Sequence, residues 1–147
     1  MLSRTAEYAL RAMAHVASLP EGEFVRSAEL AEHADVPVAY LSKVLRRLVL
    51  AGLLTSEKGH HGGFRLARPA SKVTFSEILA AAEGSEMVEC AFGWSRCDAL
   101  RPCPLHPAWT RLKRAYRSWA EGTTLAEIRD APTTPSRRKR PRAPRDR

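Results

Sequence analysis

Chemistry in this chain concentrates between Cys90 and His106, a stretch that holds all three cysteines and one of the five histidines. Six residues separate Cys90 from Cys97 and five separate Cys97 from Cys103, so the thiols cannot share one helical face but can wrap a loop around a common centre. Only Ala91, Phe92, Trp94 and Leu100 offer apolar surface there. A loop so poor in core residues needs another source of order, and a bound metal centre supplies one. The thiolates point to an iron-sulfur cluster. A zinc site of three Cys and one His is the rival, because His106 lies three residues after Cys103, but the close Cys-x2-4-Cys knuckle usual for zinc is missing. One disulfide with a spare thiol is a third option. It fits poorly with the reducing cytoplasm expected of a chain with no signal peptide in its sequence.

The elements that must position this loop come from one domain with appendages, the size expected of 147 residues. No apolar run approaches the ~20 residues of a membrane span, and a cytoplasmic protein is expected. The formal charge of +8 is unevenly placed: residues 131–147 carry six Arg and one Lys against one Asp, a net +6, which leaves +2 for residues 1–130. That Pro- and Arg-rich tail has too little apolar content to offset its ordering entropy and is expected to be disordered. Its charge adds non-specific affinity for nucleic acid or simply solvates the end.

Residues 3–18 read as a helix with Ser3 as N-cap and Ala6, Leu10, Met13 and Ala17 at helical spacing, ended by Pro20 and Gly22. Glu7 and Arg11, four apart, suit a weak surface pair, and His15 reads as a core-edge histidine rather than a ligand. A two-turn helix from Ser27 follows, with Ser27 as its cap. After Asp35-Val36-Pro37 a further helix carries Leu41, Val44, Leu45 and Leu48 on one face and Ser42, Lys43, Arg46 and Arg47 on the other. Two helices joined by a tight turn, the second basic outside, form a helix-turn-helix whose second helix can enter a major groove. Gly52 closes that helix.

Residues 53–58 and 64–68 then flank the glycine-rich turn Gly59-His60-His61-Gly62-Gly63, a hairpin with Lys58 and Arg65 beside it. A hairpin after a helix-turn-helix is a wing, and its thin tip fits a minor groove or lies along phosphates. His60 and His61 there face DNA backbone or solvent rather than a metal. Thr74 and Glu77 make a capping box, with Val73 and Ile78 as a staple, for a helix from Phe75 to about Glu83. From His106 to Glu121 a longer helix bears the stripe Leu105, Ala108, Trp109, Leu112, Ala115, Tyr116 and Trp119, with Gly122 as its cap. That stripe exceeds what so small a fold can cover, so a second copy across a two-fold axis is expected, with packing on the first helix as the alternative. A second capping box, Thr124 with Glu127, opens a last short helix through Asp130.

The fold class is thus mainly α with a small β-hairpin wing: a winged helix-turn-helix over 1–84, a cysteine-containing loop over 85–104, a dimerisation helix and short terminal helix over 105–130, and a basic tail over 131–147. Tyr40, Ser42, Lys43, Arg46, Arg47, Lys58, His60, His61, Gly62, Gly63 and Arg65 are the expected DNA contacts. An enzyme, such as a small redox protein using Cys97 and Cys103, is the rival class. The chain lacks the Cys-x-x-Cys pair, the nucleophile-base-acid constellation and the phosphate-binding glycine loop such activities use.

Over residues 1–130 the sequence closely resembles the Rrf-type winged-helix regulators, the family of the iron-sulfur regulator IscR and the nitric-oxide-responsive repressor NsrR. The resemblance is carried by Leu2-Ser-Arg-Thr-Ala-Glu-Tyr-Ala-Leu-Arg11, Tyr40-Leu-Ser-Lys-Val-Leu45, Lys58-Gly-His-His-Gly-Gly63, the Cys-x6-Cys-x5-Cys-x2-His pattern and Thr124-Leu-Ala-Glu-Ile128. It implies a homodimeric repressor of a palindromic operator whose affinity depends on a cluster near the dimer interface. It also implies Cys90, Cys97, Cys103 and His106 as ligands of a 2Fe-2S centre, with 4Fe-4S as the alternative. In some members an acidic residue early in the first helix is the remaining ligand, and Glu7 matches it. The first cysteine gap, six rather than five, departs from the IscR-like spacing. A cluster-free regulator using zinc or bare thiols is the alternative function.

Overall fold

The computed structural model describes residues 2–84, 90–93 and 100–129. Its centre is α1 (Arg4–Ser18), begun by Ser3, whose hydroxyl accepts the Ala6 N–H at 3.2 Å. Small residues let neighbours approach on several sides: Ala6, Ala9, Ala12 and Met13 are fully buried, and α2 (Ser27–Ala34), α3 (Val38–Leu50) and α4 (Phe75–Glu83) pack around them. Arg11 does not pair with Glu7 as expected. It donates to the Ala34 carbonyl at 3.2 Å, satisfying the end of α2 from across the helix pair.

Helix α2 corrects a second expectation. Its N-cap is Arg26, in extended conformation, and Ser27 is already helical, because the first turn closes from the Arg26 carbonyl to Leu30 N–H at 3.0 Å. Asp35, with φ of 56°, turns the chain through the left-handed region and Pro37 caps α3. All four expected stripe residues of α3 are buried, Leu41, Val44, Leu45 and Leu48, which leaves Ser42, Lys43, Arg46 and Arg47 outside.

Strands β1 (Leu54–Glu57) and β2 (Gly63–Leu66) pair antiparallel, with Leu54 opposite Leu66 and Glu57 opposite Gly63. A bridge not expected from the sequence adds Val25 to the hairpin: its N–H and carbonyl both bond Phe64, at 2.9 and 2.8 Å. That bridge explains Gly63, whose φ is 146° and where a Cβ would stand 2.3 Å from the Val25 oxygen. At Gly62 a Cβ would stand 2.2 Å from the Glu57 oxygen. The wing is therefore stitched to the start of α2.

Helix α4 opens on the expected capping box, Glu77 N–H to Thr74 Oγ1 at 3.3 Å and Thr74 N–H to Glu77 Oε2 at 3.0 Å, and Arg68 adds an ion pair to Glu77 at 2.8 Å. Partial burial by itself would raise the Glu77 carboxyl; the Thr74 and Arg68 bonds outweigh it and hold the group below the usual carboxylate range. Helix α5 (His106–Gly122) runs one residue further than expected: Gly122 is helical, and Thr123 is the cap, its N–H bonded to the Trp119 carbonyl at 3.0 Å. Thr123 and Leu125 then bond back to Phe75 and Val73, at 3.0 and 2.8 Å. The expected last short helix is present as a 3-10 helix, Leu125–Ile128, and opens on the expected Thr124–Glu127 capping box. Glu127 N–H bonds the Thr124 carbonyl at 3.2 Å, and its carboxylate accepts the Thr124 N–H at 2.8 Å. Asp130 and the tail over 131–147 lie outside the described residues.

Candidate nucleic-acid interface and metal donors

On α3 the outward row is not uniform. Lys43 and Arg46 stand exposed. Ser42 is also exposed, and its hydroxyl donates back to the Val38 carbonyl at 2.9 Å. Arg47 reaches the other way, donating to the Ala82 carbonyl at 2.6 Å, where it satisfies the last turn of α4. Tyr40 shares a 2.6 Å hydrogen bond with Thr5 and meets Tyr8 edge-on at 5.5 Å, so it ties the N-terminus of α3 to α1. These attachments fix how far α3 protrudes.

The wing offers Lys58, His60 and His61, all exposed, around the two crowded glycines. Arg26 donates to the His60 carbonyl at 2.6 Å and holds the tip beside α2. Arg65 is half-buried, its guanidinium 4.6 Å from the centre of the Phe24 ring, a cation-π contact on the wing face opposite Phe64 and Leu66. Sequence spacing could not show that Arg47 and Arg65 also make polar or cation-π contacts within the fold, as Lys43, Arg46 and Lys58 do not among the described residues.

The cysteine loop is described in part. Cys90 is buried, 3% exposed, and Cys103 half-buried; both are free thiols. Cys97 lies outside the described residues. His106 is the first residue of α5, and its N–H bonds the Cys103 carbonyl at 3.0 Å, which puts that thiol and that imidazole on one turn. Glu7 stands exposed on the first turn of α1. The donor set suits soft iron chemistry, two free thiols with an adjacent imidazole.

Among the described residues, however, the donors that converge are others: His15, Glu29 and His33, with ligand atoms all within 4.8 Å of one another. His15 does sit at the core edge, as expected, but in company. Glu29 and His33 were not singled out from the sequence. Their four-residue spacing on α2 was the available signal, and only the packing of α1 on α2 adds His15.

Beyond it, α5 displays its apolar stripe. Leu112 and Trp119 are 53% and 42% exposed, Leu105 is exposed too, and Ala120 is the one buried residue of the helix. Its C-terminal part rests on α4, where Trp119 meets Phe75 edge-on at 5.5 Å, rather than on α1.

A helix-turn-helix with a basic outer face, a stitched wing and a long C-terminal helix define a winged-helix DNA-binding protein. A family model described as "Rrf2: Iron-dependent Transcriptional regulator" matches residues 2–131. The chain belongs to the Rrf2 family of transcriptional regulators, DNA-binding proteins rather than enzymes. Among solved structures it is similar to CymR, the global cysteine regulator of B. subtilis, with TM-score 0.74 and 22% identity over 88% of this chain and 96% of that one. Staphylococcus aureus CymR matches with TM-score 0.70 and 26% identity over 87% and 97%. IscR of T. potens matches with TM-score 0.70 and 24% identity over 89% and 88%. No helix among the described residues is long and apolar enough to cross a membrane.

Proposed function

We propose that the chain is a cytoplasmic homodimeric repressor that binds a palindromic operator and whose affinity is set by an iron-sulfur centre at the cysteine loop. The outward row Ser42, Lys43 and Arg46, opposite four buried residues of α3, carries the DNA-binding part. Arg46 is assigned to base edges and Lys43 to phosphate, with Lys58, His60 and His61 following the backbone from the wing. Arg47, Arg65 and Tyr40 position these elements. The exposed Leu105, Leu112 and Trp119 supply a seam for the second copy, which sets two recognition helices about one DNA turn, ~34 Å, apart.

Cys90, Cys97 and Cys103 with His106 would hold the cluster, 2Fe-2S favoured over 4Fe-4S, and Glu7 is the alternative fourth ligand. When bound, it supplies sensitivity to oxidants, nitric oxide or iron-sulfur supply. The chain's own residues offer a packed route from that loop to DNA. The Cys103–His106 turn starts α5, α5 rests on α4 through Trp119 and Phe75, and the end of α4 receives Arg47 from α3 at Ala82 and the Ser3 N–H at Glu83, 3.3 Å away.

A second reading, a thiol switch without iron, draws support from similarity to S. aureus CymR solved in an oxidized form and from the free thiols Cys90 and Cys103. Anaerobic purification separates the two. The expected wild type is coloured and holds iron and acid-labile sulfide; Cys97→Ala is colourless, and comparing His106→Ala with Glu7→Ala identifies the fourth ligand. A wild type free of iron and sulfide whose operator binding still responds to a mild oxidant would replace the cluster with the thiol switch. Zinc without sulfide would leave the winged helix standing and remove the redox sensing.

A further inference from the structure

The donors His15, Glu29 and His33 belong to neither the cysteine loop nor the DNA surface. His15 is in the last turn of α1; Glu29 and His33, four residues apart, share a face of α2. His15 Nε2 lies 3.8 Å from Glu29 Oε1, and the two imidazoles stack with ring centres 3.8 Å apart and planes 22° from parallel. His15 is 9% exposed, and its Nε2 is buried with no hydrogen-bond partner. A buried nitrogen whose nearest acceptor stands 3.8 Å away, beyond hydrogen-bond reach, is costly to keep unless a ligand engages it. Burial and, after it, the neighbouring His33 lower the His15 pKa, against an opposing pull from Glu29, which favours the neutral imidazole that binds metals.

The geometry points to a second metal site, in which His15 Nε2, His33 and the Glu29 carboxylate bind one borderline divalent cation of the zinc class and leave a fourth position to water. Two imidazoles and a carboxylate are a donor set this class takes, whereas magnesium and calcium prefer all-oxygen sites. Metal-nitrogen bonds of ~2.0 Å require donors about 3.3 Å apart. The present spread of up to 4.8 Å must therefore contract, and the stack must open. Both movements fall on residues free to make them: Glu29 is exposed and His33 half-exposed, while His15 is held by the core. The bound cation would clamp α1 to the first helix of the helix-turn-helix and so fix the platform from which α3 projects.

The test uses the full chain with Cys90, Cys97 and Cys103 all changed to Ser, titrated anaerobically with Co2+, so that thiolates contribute nothing. One equivalent should develop visible d–d bands of a nitrogen- and oxygen-ligated ion without thiolate charge transfer. His33→Ala and Glu29→Gln, at surface positions that tolerate change, should each weaken binding by about 100-fold or more, since even outer-shell partners cost 10–100-fold. Zinc should raise the melting temperature of the parent and not of His33→Ala. Failure of Co2+ to bind the triple-Ser chain, or bands unchanged by both His33→Ala and Glu29→Gln, would overturn the site. Neither result bears on the iron-sulfur reading, whose thiolates are absent from this chain.

Discussion

Helices α3 and α5 carry the same kind of sequence, an apolar stripe at helical spacing beside a run of Lys and Arg, yet they end in opposite circumstances. The stripe of α3 is buried under α1 and α4; that of α5 is exposed at Leu105, Ala108, Leu112, Ala115 and Trp119 and half-buried at Trp109 and Tyr116, although Trp119 also meets Phe75 of α4. An apolar stripe asks for a partner without specifying which. The core of this chain is completed by α1 to α4, the wing and the returning 3-10 turn. Helix α5 adds only Ala120 to that core, with Tyr116 packed against it, which leaves the exposed part of its stripe available to a second copy. Arg47 on α3 and Arg111, Arg114 and Arg117 on α5 are all exposed, but Arg47 also donates to the Ala82 carbonyl of α4.

The contrast breaks most visibly in the stripes. Leu45→Ala should cost about 2–5 kcal/mol of folding stability in chemical denaturation, because it empties a fully buried site. Leu112→Glu should leave the monomer folded, with unchanged circular dichroism, and move light scattering at micromolar concentration from twice the chain mass to once. A Leu112→Glu chain that stays dimeric would remove α5 as the seam.

Within α3 the two neighbouring arginines should separate by function. Arg46→Ala should weaken operator binding by about 1–3 kcal/mol in a mobility-shift titration and relax preference at one base pair. Arg47→Ala should lower stability and shift affinity for all sequences alike, since its guanidinium serves α4. Deleting residues 131–147 should chiefly flatten the salt dependence, as charge without geometry does. Loss of sequence preference on tail deletion, with Arg46→Ala silent, would reverse these assignments.

Smaller effects test the frame that both helices share. Thr74→Ala should cost about 1 kcal/mol, as removal of an N-cap does, measured by the shift in urea midpoint. The Glu77 carboxyl, its folded pKa depressed below the ordinary 4.5, contributes stability that is present above that value and lost as pH falls through the folded pKa. Urea midpoints between pH 6 and about 3 should therefore fall more for the wild type than for Glu77→Gln; equal slopes would mean that the box and the Arg68 pair do not act through charge.

Local features were legible in the sequence because their causes lie within a few residues. The Ser3 cap, the Thr74–Glu77 box, the four-residue stripe of α3 and the glycine-rich wing turn each state their own geometry, and the structure has them all. The Thr124–Glu127 box is present too; where the expectation missed locally, at Ser27, at Gly122 and in the 3-10 winding after Thr124, it missed by a residue or by the tightness of a turn, which depends on which carbonyl closes it. What only the tertiary structure decided are pairings across long separations: Arg11 on Ala34, Arg47 on Ala82, Val25 against Phe64, and His15 facing Glu29 and His33. No spacing rule encodes these, because the partner of a side chain is set by how helices pack once the apolar faces have been buried. The crowding at Gly62 and Gly63 shows the division well. A sequence reader sees glycines fit for a turn; the fold adds that the Glu57 and Val25 carbonyls stand where a Cβ would have to be.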